Sequence, residues 1–388
     1  MNIVAYPGSF DIFHHWHEDI VKRAREYGKV VVAVGNNPDK KTLFTLEQRV
    51  KHIQSITKNL QNVIVTSFDW LLVDFCIQNN IKTIVKWIRD DKDRSFEKTQ
   101  EFYNTHIEPS IITEYIECKP EYFHLSSSSL KEMIKSEWLL THTSSNTLIH
   151  PLVKADVEKA LMNQYFVGIT WVPGTGKSFI SKKFVEYASK QNIPLHYIEM
   201  DSIAKIIHDE NSPYGHIRDE IAETFQEAQR TEQWWIVSKS LRPLFWTPKM
   251  DQLWAIMREA IYVELRKAVK GKQWIILLEN AIFAEKSLNH LVNNEVIVAT
   301  IDKKTQLERL HTRPWLSDEL IKKLLRSQYS TTKKIKTLRD EVQSNNYGHI
   351  RTIRNPDLSN TREDKKIYPD DHIRKLFTKV VKQIWYTQ

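Results

Sequence analysis

Two histidines follow the first predicted β-strand of this sequence. Residues 2–5 predict the strand and residues 6–9 a turn, after which His14 and His17 open a helix predicted over residues 16–27. Phosphates bind where a strand of an α/β fold leads into the N-terminus of a helix, because the backbone N–H groups there are unpaired. Two imidazoles at this spacing can donate hydrogen bonds to such a phosphate. We therefore predict an anion site, although a lone helical histidine usually serves packing.

A second strand-to-helix junction carries a glycine-containing loop. A strand is predicted over residues 165–170 and a helix over residues 178–190. The loop between them, WVPGTGKS, matches the phosphate-binding pattern G-x-x-x-x-G-K-[ST] except at its first position. In that pattern backbone N–H groups cradle phosphates, the lysine reaches the β- and γ-phosphates, and the last hydroxyl binds Mg²⁺. The residues predicted to bind ATP are Gly174, Thr175, Gly176, Lys177 and Ser178, with Ser178 as the metal ligand.

The composition limits the class of protein. The chain has 388 residues, which predicts two domains, and its 41% hydrophobic and 27% charged content is ordinary for a globular protein. No stretch has the ~18 uninterrupted apolar residues of a membrane span, and the first residues show no signal-peptide pattern. Two cysteines without metal-type spacing fit a reducing, cytoplasmic location. The net charge is +8 with scattered basic residues, so we expect small anionic substrates rather than nucleic acid.

Strands and helices alternate twice along the chain. The further N-terminal strands are predicted at residues 29–34, 63–67 and 83–85, with helices at residues 46–59 and 71–79. The further C-terminal strands are predicted at residues 195–199, 274–278 and 295–300, with helical stretches at residues 204–270 and 317–341. Such alternation predicts doubly wound parallel sheets. We therefore expect an α/β protein with domains at residues 1–163 and 164–388.

The first junction resembles the phosphopantetheine adenylyltransferase branch of the nucleotidylyltransferase superfamily. Residues 14–17 are similar to the superfamily signature T/H-x-G-H, and YPGSFD at residues 6–11 resembles this branch. The other matching segments follow in family order at residues 38–41, 44–49, 85–89, 96–97 and 125–128. The resemblance implies a Rossmann-like domain that joins 4′-phosphopantetheine to the α-phosphate of ATP and releases pyrophosphate.

The same resemblance implies residue roles in the first site. His17 would contact the ATP phosphates and stabilise the transition state, Lys41 would neutralise the reacting phosphates, and Arg89 would hold the ATP phosphates. Lys86 stands where the family usually has arginine, so it keeps the charge but lacks the planar guanidinium fork. The residues implied to bind ATP are Ser9, Phe10, His14, Glu97, Ser126, Ser127 and Ser128. The residues implied to bind the acceptor are Ser9, Lys41 and Lys86.

The second junction and the segments after it resemble dephospho-CoA kinase. EMD at residues 199–201 is similar to the family's D-A-D segment, residues 278–285 to its P-L-L-F-E segment, and residues 306–313 to its Q-L-x-R-x-x-x-R lid entrance. By this resemblance Lys177 is catalytic and Asp201 is the general base near the ribose 3′-hydroxyl. Arg309 and Arg313 would neutralise phosphates in the closed lid. The family's His-Pro pair is absent, since Arg258 and Glu259 stand there.

Tryptophan stands where three of these motifs have glycine, at Trp16, Trp87 and Trp171. The chain has 12 Trp and 9 Gly, whereas average glycine usage predicts roughly 27 glycines. Glycine serves where backbone approaches phosphate or adopts positive φ, so an indole at residue 16 or 171 should obstruct a ligand. We hypothesise that the gene uses a codon such as UGA that its organism reads as glycine. The positions Trp70, Trp138 and Trp315 also suit a turn glycine.

Three other interpretations compete with this one. Decay into an inactive homologue would scatter substitutions over residue types, whereas here the replacement is always the same. A nicotinamide-mononucleotide adenylyltransferase fused to a ribosylnicotinamide kinase has the same domain order, but YPGSFD, PDKK and SSSSLKE argue against it. A non-catalytic nucleotide-binding or nucleic-acid-binding protein does not explain Lys41, Arg89, Lys177 and Asp201. We expect small-molecule substrates with Mg²⁺, no membrane association, and self-association into a homo-oligomer.

Overall fold

Two parallel sheets, each flanked by helices, make up the fold, which confirms the predicted α/β class. The chain separates into two compact units, Met1–Leu161 and Met162–Gln388. The computed structural model describes residues 2–36, 40–69, 71–141, 145–209, 211–231, 236, 240–241, 244, 247–314, 316–355 and 369–386. Pro38, Asp39, Trp70 and Trp315, which the sequence singled out, lie outside these residues.

The first unit contains a five-stranded sheet in the order β3-β2-β1-β4-β5. Its strands are β1 (Ile3–Gly8), β2 (Lys29–Gly35), β3 (Val63–Phe68), β4 (Thr83–Ile88) and β5 (Ile112–Glu117). The middle of β2 is a run of buried apolar residues, as expected of a parallel strand covered on both faces. The strand order reverses beside β1, and open α/β sheets bind ligands in the crevice at such a point.

The helices of the first unit begin with α1, which directly follows the loop after β1. They are α1 (His15–Ala24), α2 (Leu46–Thr57), α3 (Leu72–Gln78), α4 (Asp91–Ile107), α5 (Ser127–Lys135), α6 (Trp138–Thr141), α7 (Ser145–Leu148) and α8 (Pro151–Met162). Thr45 and Gln48 form a reciprocal capping box that fixes the start of α2. Ser126 caps α5 in the same way with Ser129, so two of the segments named by the sequence are held by helix caps.

The second unit contains a five-stranded parallel sheet in the order β10-β9-β6-β8-β7. Its strands are β6 (Gln164–Trp171), β7 (Leu195–Glu199), β8 (Trp274–Glu279), β9 (Glu295–Thr300) and β10 (His349–Arg354). Its helices are α9 (Lys177–Lys190), α10 (Met200–His208), α11 (Gly215–Thr224), α12 (Lys249–Val269), α13 (Lys303–His311), α14 (Asp318–Ser327), α15 (Thr331–Asn345) and α16 (Pro369–Tyr386). β6 is central, so the loop that follows it lies at the middle of the sheet.

Helix α16 closes one face of the second core. Its Phe377 is fully buried and packs edge-on against Phe184 of α9, with ring centroids 5.5 Å apart. Tyr187 of α9 lies against the same ring. Because α9 begins at the glycine-containing loop, this packing anchors the helix that carries the predicted phosphate site.

Several predicted elements differ from those observed. Strand β1 continues through Gly8 because Tyr6, Pro7 and Gly8 pair with β2, so the turn begins later than predicted. The stretch 204–270 is not one helical region: α10 ends at His208, and separate helices α11 and α12 follow. The stretch 317–341 is broken between α14 and α15, where Ser330 caps a new helix. Across the residues that the structure describes, no helix is both long and apolar enough to cross a membrane.

Candidate functional site

The two predicted histidines of the first unit lie side by side at the carboxyl end of β1. The rings of His14 and His17 stack with centroids 4.0 Å apart, and both residues are buried. The Tyr6 hydroxyl lies 2.7 Å from His17 Nδ1. Burial raises the pKa of Tyr6, so the phenol keeps its proton and can donate a hydrogen bond to Nδ1. That places the proton of a neutral His17 imidazole on Nε2, where it can be donated to a ligand.

The charge state of these histidines follows from their surroundings. Burial, followed by the charges of Arg89 and Lys40, lowers the pKa of His17 to about 3. Burial and the neighbouring histidines also hold the pKa of His14 well below its ordinary value. At neutral pH both imidazoles are therefore uncharged hydrogen-bonding groups, and the positive charge of the site comes from lysine and arginine.

Arg89 lies where β4 ends, beside β1 in the sheet. Its guanidinium forms an ion pair with Asp93, with Nε 2.8 Å from Oδ2, and this hydrogen bond raises the pKa of Arg89 despite partial burial. The guanidinium also lies over two indoles, 5.3 Å from the ring centroid of Trp16 and 4.8 Å from that of Trp87. The two indoles pack edge-on, with ring centroids 4.3 Å apart. The Trp16 indole, which also stacks on the His17 ring, therefore lies between His17 and Arg89.

Ser9 is held by two basic residues. Lys40 Nζ donates to Ser9 Oγ at 2.8 Å, and the buried Arg49 donates to Ser9 O at 2.5 Å and to Gly35 O at 3.0 Å. Lys41 is exposed, one residue from Lys40. The structure thus brings the segment that carries both lysines to the loop after β1, with Lys40 rather than Lys41 making the contact to Ser9.

Asp11 ties this lysine-bearing segment to α5. Its carboxylate is 3% exposed and accepts hydrogen bonds from the backbone N–H of Leu43 at 2.8 Å and of Phe44 at 3.0 Å. Lys131 of α5 forms an ion pair with it at 2.5 Å. Sequence reasoning missed Asp11 as a site residue, although it stands within the YPGSFD segment. Its role depends on partners more than 30 positions away, which local spacing does not show.

The remaining predicted residues of the first site lie around this crevice. Lys86 of β4 and Glu97 of α4 form an ion pair at 3.0 Å. The Phe10 side chain is buried against Tyr6 and His17, and its backbone has φ +46°. The three serines begin α5: Ser126 as the cap, Ser127 with its hydroxyl donating to Ile12 O at 3.3 Å, and Ser128 exposed to solvent.

In the second unit the loop after β6 has the backbone of a phosphate cradle. Gly174 and Gly176 have φ of +85° and +73°. A Cβ at Gly176 would lie 2.5 Å from Asn355 Nδ2, and one at Gly174 would lie 3.1 Å from Gln306 O. Both positions therefore need glycine for conformation and for space. The buried Thr175 Oγ1 lacks a hydrogen-bond partner among the described residues.

Lys177 opens α9 and meets three carboxylates. Its Nζ lies 2.8 Å from Glu279 Oε1, 3.1 Å from Glu199 Oε1 and 3.4 Å from Asp201 Oδ2. Burial opposes the charged form of Lys177, but the hydrogen bond to Glu279 and the charge of Asp201 raise its pKa overall. The lysine is therefore charged. The structure brings the predicted Asp201 to within ion-pair distance of it.

Glu279 is a residue of this site that sequence reasoning missed. It ends β8, is fully buried, and accepts from Ser181 Oγ at 2.6 Å and from the Tyr197 hydroxyl. These two donors fix the carboxylate so that it faces Lys177. The sequence feature that could have identified Glu279 is a glutamate at the carboxyl end of an otherwise apolar strand, WIILLE. This strand lies beside the strand that leads to the glycine-containing loop.

Arg309 of α13 lies against the glycine-containing loop. Its guanidinium lies 3.5 Å from Thr175 O, and a Cβ at Gly176 would meet it at 3.3 Å. Gln306 of the same helix donates to Pro173 O at 2.8 Å, and Asn355, which follows β10, donates to Thr175 O at 2.6 Å. Arg313 is exposed just beyond the end of α13. One of the two predicted arginines is thus already at the loop.

We expected an indole at position 171 to obstruct a ligand. The Trp171 side chain is 7% exposed and packs within the apolar core formed by β6, α9 and α16. The ring also lies under Lys177, with Nζ 4.1 Å from its centroid. An indole at this position therefore competes with phosphate for the lysine rather than filling the cradle.

Comparisons with known proteins agree with this division. A family model described as cytidylyltransferase-like matches residues 5–133, and one described as dephospho-CoA kinase matches residues 165–350. A protein named phosphopantetheine adenylyltransferase from Clostridium tetani is 45% identical over 134 residues, which are 34% of this chain and 84% of that protein. Proteins of the same name from Clostridium novyi and Clostridium botulinum are 36% and 40% identical, covering 39% and 35% of this chain and 96% and 86% of those proteins.

These relatives match the N-terminal part of the chain, and the kinase family matches the part that contains the glycine-containing loop. The competing adenylyltransferase and kinase pair gains no support from them. The chain therefore belongs, through its N-terminal part, to the phosphopantetheine adenylyltransferase family, and a dephospho-CoA kinase domain is joined to it.

Proposed function

We propose that the chain performs the last two steps of coenzyme A biosynthesis. The first unit would transfer an adenylyl group from ATP to 4′-phosphopantetheine, and the second would phosphorylate the ribose 3′-hydroxyl of the resulting dephospho-CoA with a second ATP. The observation that carries this proposal is that each unit has its own set of phosphate-binding groups at the centre of its own sheet, and each matches the family of one of two consecutive reactions. The product of one site is the substrate of the other.

In the first site the proposed roles are those that the resemblance to the adenylyltransferase family implies. His17, with Nε2–H available, donates to the transferring phosphate, and Arg89 and Lys41 supply positive charge for the ATP phosphates. Ser9, Lys86 and Lys41 bind the phosphate of the acceptor. The residues we assign to the nucleotide are Ser9, Phe10, His14, Glu97, Ser126, Ser127 and Ser128. No covalent intermediate is needed, since holding two anions in line and stabilising the charge on phosphorus suffices.

In the second site Asp201 is the proposed general base. Its side chain is 59% exposed while one oxygen faces Lys177, so it is both accessible to a substrate hydroxyl and close to where phosphate would bind. Lys177 must leave some of its carboxylate partners to reach the β- and γ-phosphates, and Arg309 and Arg313 would neutralise the remaining charge. The loop residues Gly174, Thr175 and Gly176 would hold the phosphates through backbone N–H groups.

Mg²⁺ fits this second site through Ser178. The Ser178 side chain is exposed at the start of α9, directly after the cradle, where a hydroxyl can serve as a ligand beside phosphate oxygens. Mg²⁺ usually takes one or two protein ligands, with substrate phosphates and water completing the octahedron. Bound there, the ion would neutralise the β- and γ-phosphate oxygens. No group of three or more His, Cys, Asp or Glu suited to a metal occurs within the described part of the chain.

We propose functional domains at residues 1–163 and 164–388, which place α8 with the first domain, close to the observed division at residue 161. Cytoplasmic location is proposed because Cys76 and Cys118 are both free and buried. Self-association is proposed because α4 buries no residue and exposes Phe96, Phe102 and Tyr103, a face that a second copy could cover.

The acceptor test separates this function from its competitor. The protein with Trp16→Gly, Trp87→Gly and Trp171→Gly is supplied with ATP and Mg²⁺, and with either 4′-phosphopantetheine or nicotinamide mononucleotide. We expect pyrophosphate release with the first acceptor only, followed by appearance of coenzyme A. Adenylylation of nicotinamide mononucleotide, or no reaction with either acceptor by a folded protein, would refute the proposal.

A further inference from the structure

Trp274 has a backbone conformation that tryptophan rarely adopts. Its φ is +71°, and it is the one tryptophan among the eleven described non-glycine residues with positive φ. Seven of these eleven are asparagines, the side chain that best tolerates the left-handed region. For a bulky residue, a positive φ is a genuine outlier that indicates strain.

The surrounding backbone keeps Trp274 in this conformation. Trp274 begins β8 and pairs in register with Gln164, and its N–H donates to Asn163 O at 2.5 Å. Gly271, three residues earlier, also has positive φ at +70°. The turn that leads α12 into the central sheet therefore requires two left-handed residues, and glycine is the residue that adopts this conformation without strain.

Trp16 is also poorly suited to its position, but the evidence there is its side chain rather than its backbone. The side chain is 1% exposed, yet its Nε1 has no hydrogen-bond partner among the residues described, and a buried indole N–H normally has one. The ring occupies the space between His17 and Arg89. Trp16 thus fills a binding crevice without satisfying its own polar group.

We infer that residue 274 is glycine in the natural protein, as are residues 16, 87 and 171. The motifs pointed to glycine at three catalytic positions, whereas residue 274 lies outside every motif and is identified by backbone conformation alone. Loss of activity during evolution would relax selection on the catalytic motifs, but it would not explain a tryptophan at position 274, which lies outside them. A chain-wide reading of one codon as glycine explains all four positions together.

The direct test is peptide mass spectrometry of the protein isolated from its native cells. We expect glycine at position 274 and at positions 16, 87 and 171. Tryptophan at position 274 would overturn the inference. This outcome is independent of the proposed activity, because mass spectrometry identifies the residue at position 274 without any measurement of catalysis.

A second test measures, by thermal unfolding of the recombinant protein, whether the backbone at position 274 requires glycine. Trp274→Gly and Trp274→Ala remove the same indole and differ only in Cβ, so comparing them isolates the backbone. We expect the glycine variant to unfold at a temperature at least about 2–4 °C above the alanine variant, the shift typical of one left-handed residue relieved in a domain of this size.

The matched control is Trp254 in the interior of α12, where the backbone is helical and Trp254→Ala should be more stable than Trp254→Gly. The glycine variant should therefore be the more stable one at position 274 and the alanine variant the more stable one at position 254. If alanine is as stable as glycine at position 274, the backbone does not require glycine there and the inference fails.

Discussion

The neutral state of His17 follows from its surroundings in the folded chain. The Tyr6 hydroxyl donates a hydrogen bond to Nδ1, so the ring proton lies on Nε2, while burial and the charges of Arg89 and Lys40 exclude a second proton. The spacing H-x-x-H predicted that a histidine would meet phosphate, but not its tautomer or its charge. Those depend on Tyr6, which is eleven residues away and joins His17 through the fold of β1 and α1.

We predict that His17 of the ligand-free protein stays neutral far below the ordinary histidine range. Its pKa of about 3 lies below the unfolded value of ~6.5, so the unfolded chain binds a proton that the folded chain excludes. This contribution to stability is complete above pH ~6.5 and is lost as the pH falls towards 3. NMR titration, with the signal identified by His17→Gln, should show no titration between pH 8 and 5. A midpoint near 6.5 would contradict the buried, neutral assignment.

We predict that, in the protein with glycine at positions 16, 87 and 171, Asp201→Asn lowers the turnover of the kinase step about 10²–10⁴-fold, the usual contribution of a general base. The amide keeps the shape and can still accept a hydrogen bond from Lys177, so the Kd for ATP should change little. Initial rates of dephospho-CoA phosphorylation and equilibrium ATP binding are the two measurements. Asp219→Asn, an exposed carboxylate of α11 paired with Arg230, is the control. A near-normal turnover would remove Asp201 from the mechanism.

At the scale of elements, the inner strands and the edge strands β3 and β7 were predicted from the sequence, whereas the edge strands β5 and β10 were not. Strands β2, β6 and β9 are apolar runs because helices cover both faces, and such runs stand out in the sequence. β10 reads HIRTIR and lies at a sheet edge, with alternate residues exposed. Its partner β9 precedes it by more than 40 residues, so local pattern gave no reason to place it. Strand β5, ITEYIE, lies at the edge of the first sheet and also lacks a buried apolar run, so the sequence did not predict it.

We predict that Asp11 positions the segment that carries Lys40 and Lys41. Asp11→Ala leaves the N–H groups of Leu43 and Phe44 without their acceptor, so the segment should move away from Ser9. Misplacement by about 1 Å can cost of the order of 10²-fold in rate, and we expect that loss in the turnover of adenylyl transfer. Dephospho-CoA phosphorylation should be unchanged, which shows that the second unit stays folded.

Lys131→Met provides the matched comparison for Asp11. It removes the ion pair at 2.5 Å but leaves the carboxylate to accept from Leu43 and Phe44. Its adenylyl transfer should therefore stay much closer to that of the unchanged protein than does Asp11→Ala. Equal losses for the two variants would mean that Asp11 acts through α5 and not through the lysine-bearing segment.

At the scale of the whole molecule, each unit has its own sheet and its own set of proposed phosphate-binding groups. The sequence predicted this duplication because two strand-to-helix junctions with different motifs occur about 160 residues apart, one in each unit. It did not predict helix α16 or the contacts of Glu279 and Asn355, because each depends on residues that are distant in the sequence.

The central claim is that the chain holds two independent catalytic sites, and paired substitutions test it most directly. In the protein with glycine at positions 16, 87 and 171, His17→Ala should abolish formation of dephospho-CoA while leaving its phosphorylation intact. Lys177→Ala should do the reverse. If either substitution removes both activities while circular dichroism shows a folded protein, the account of two separate sites is wrong.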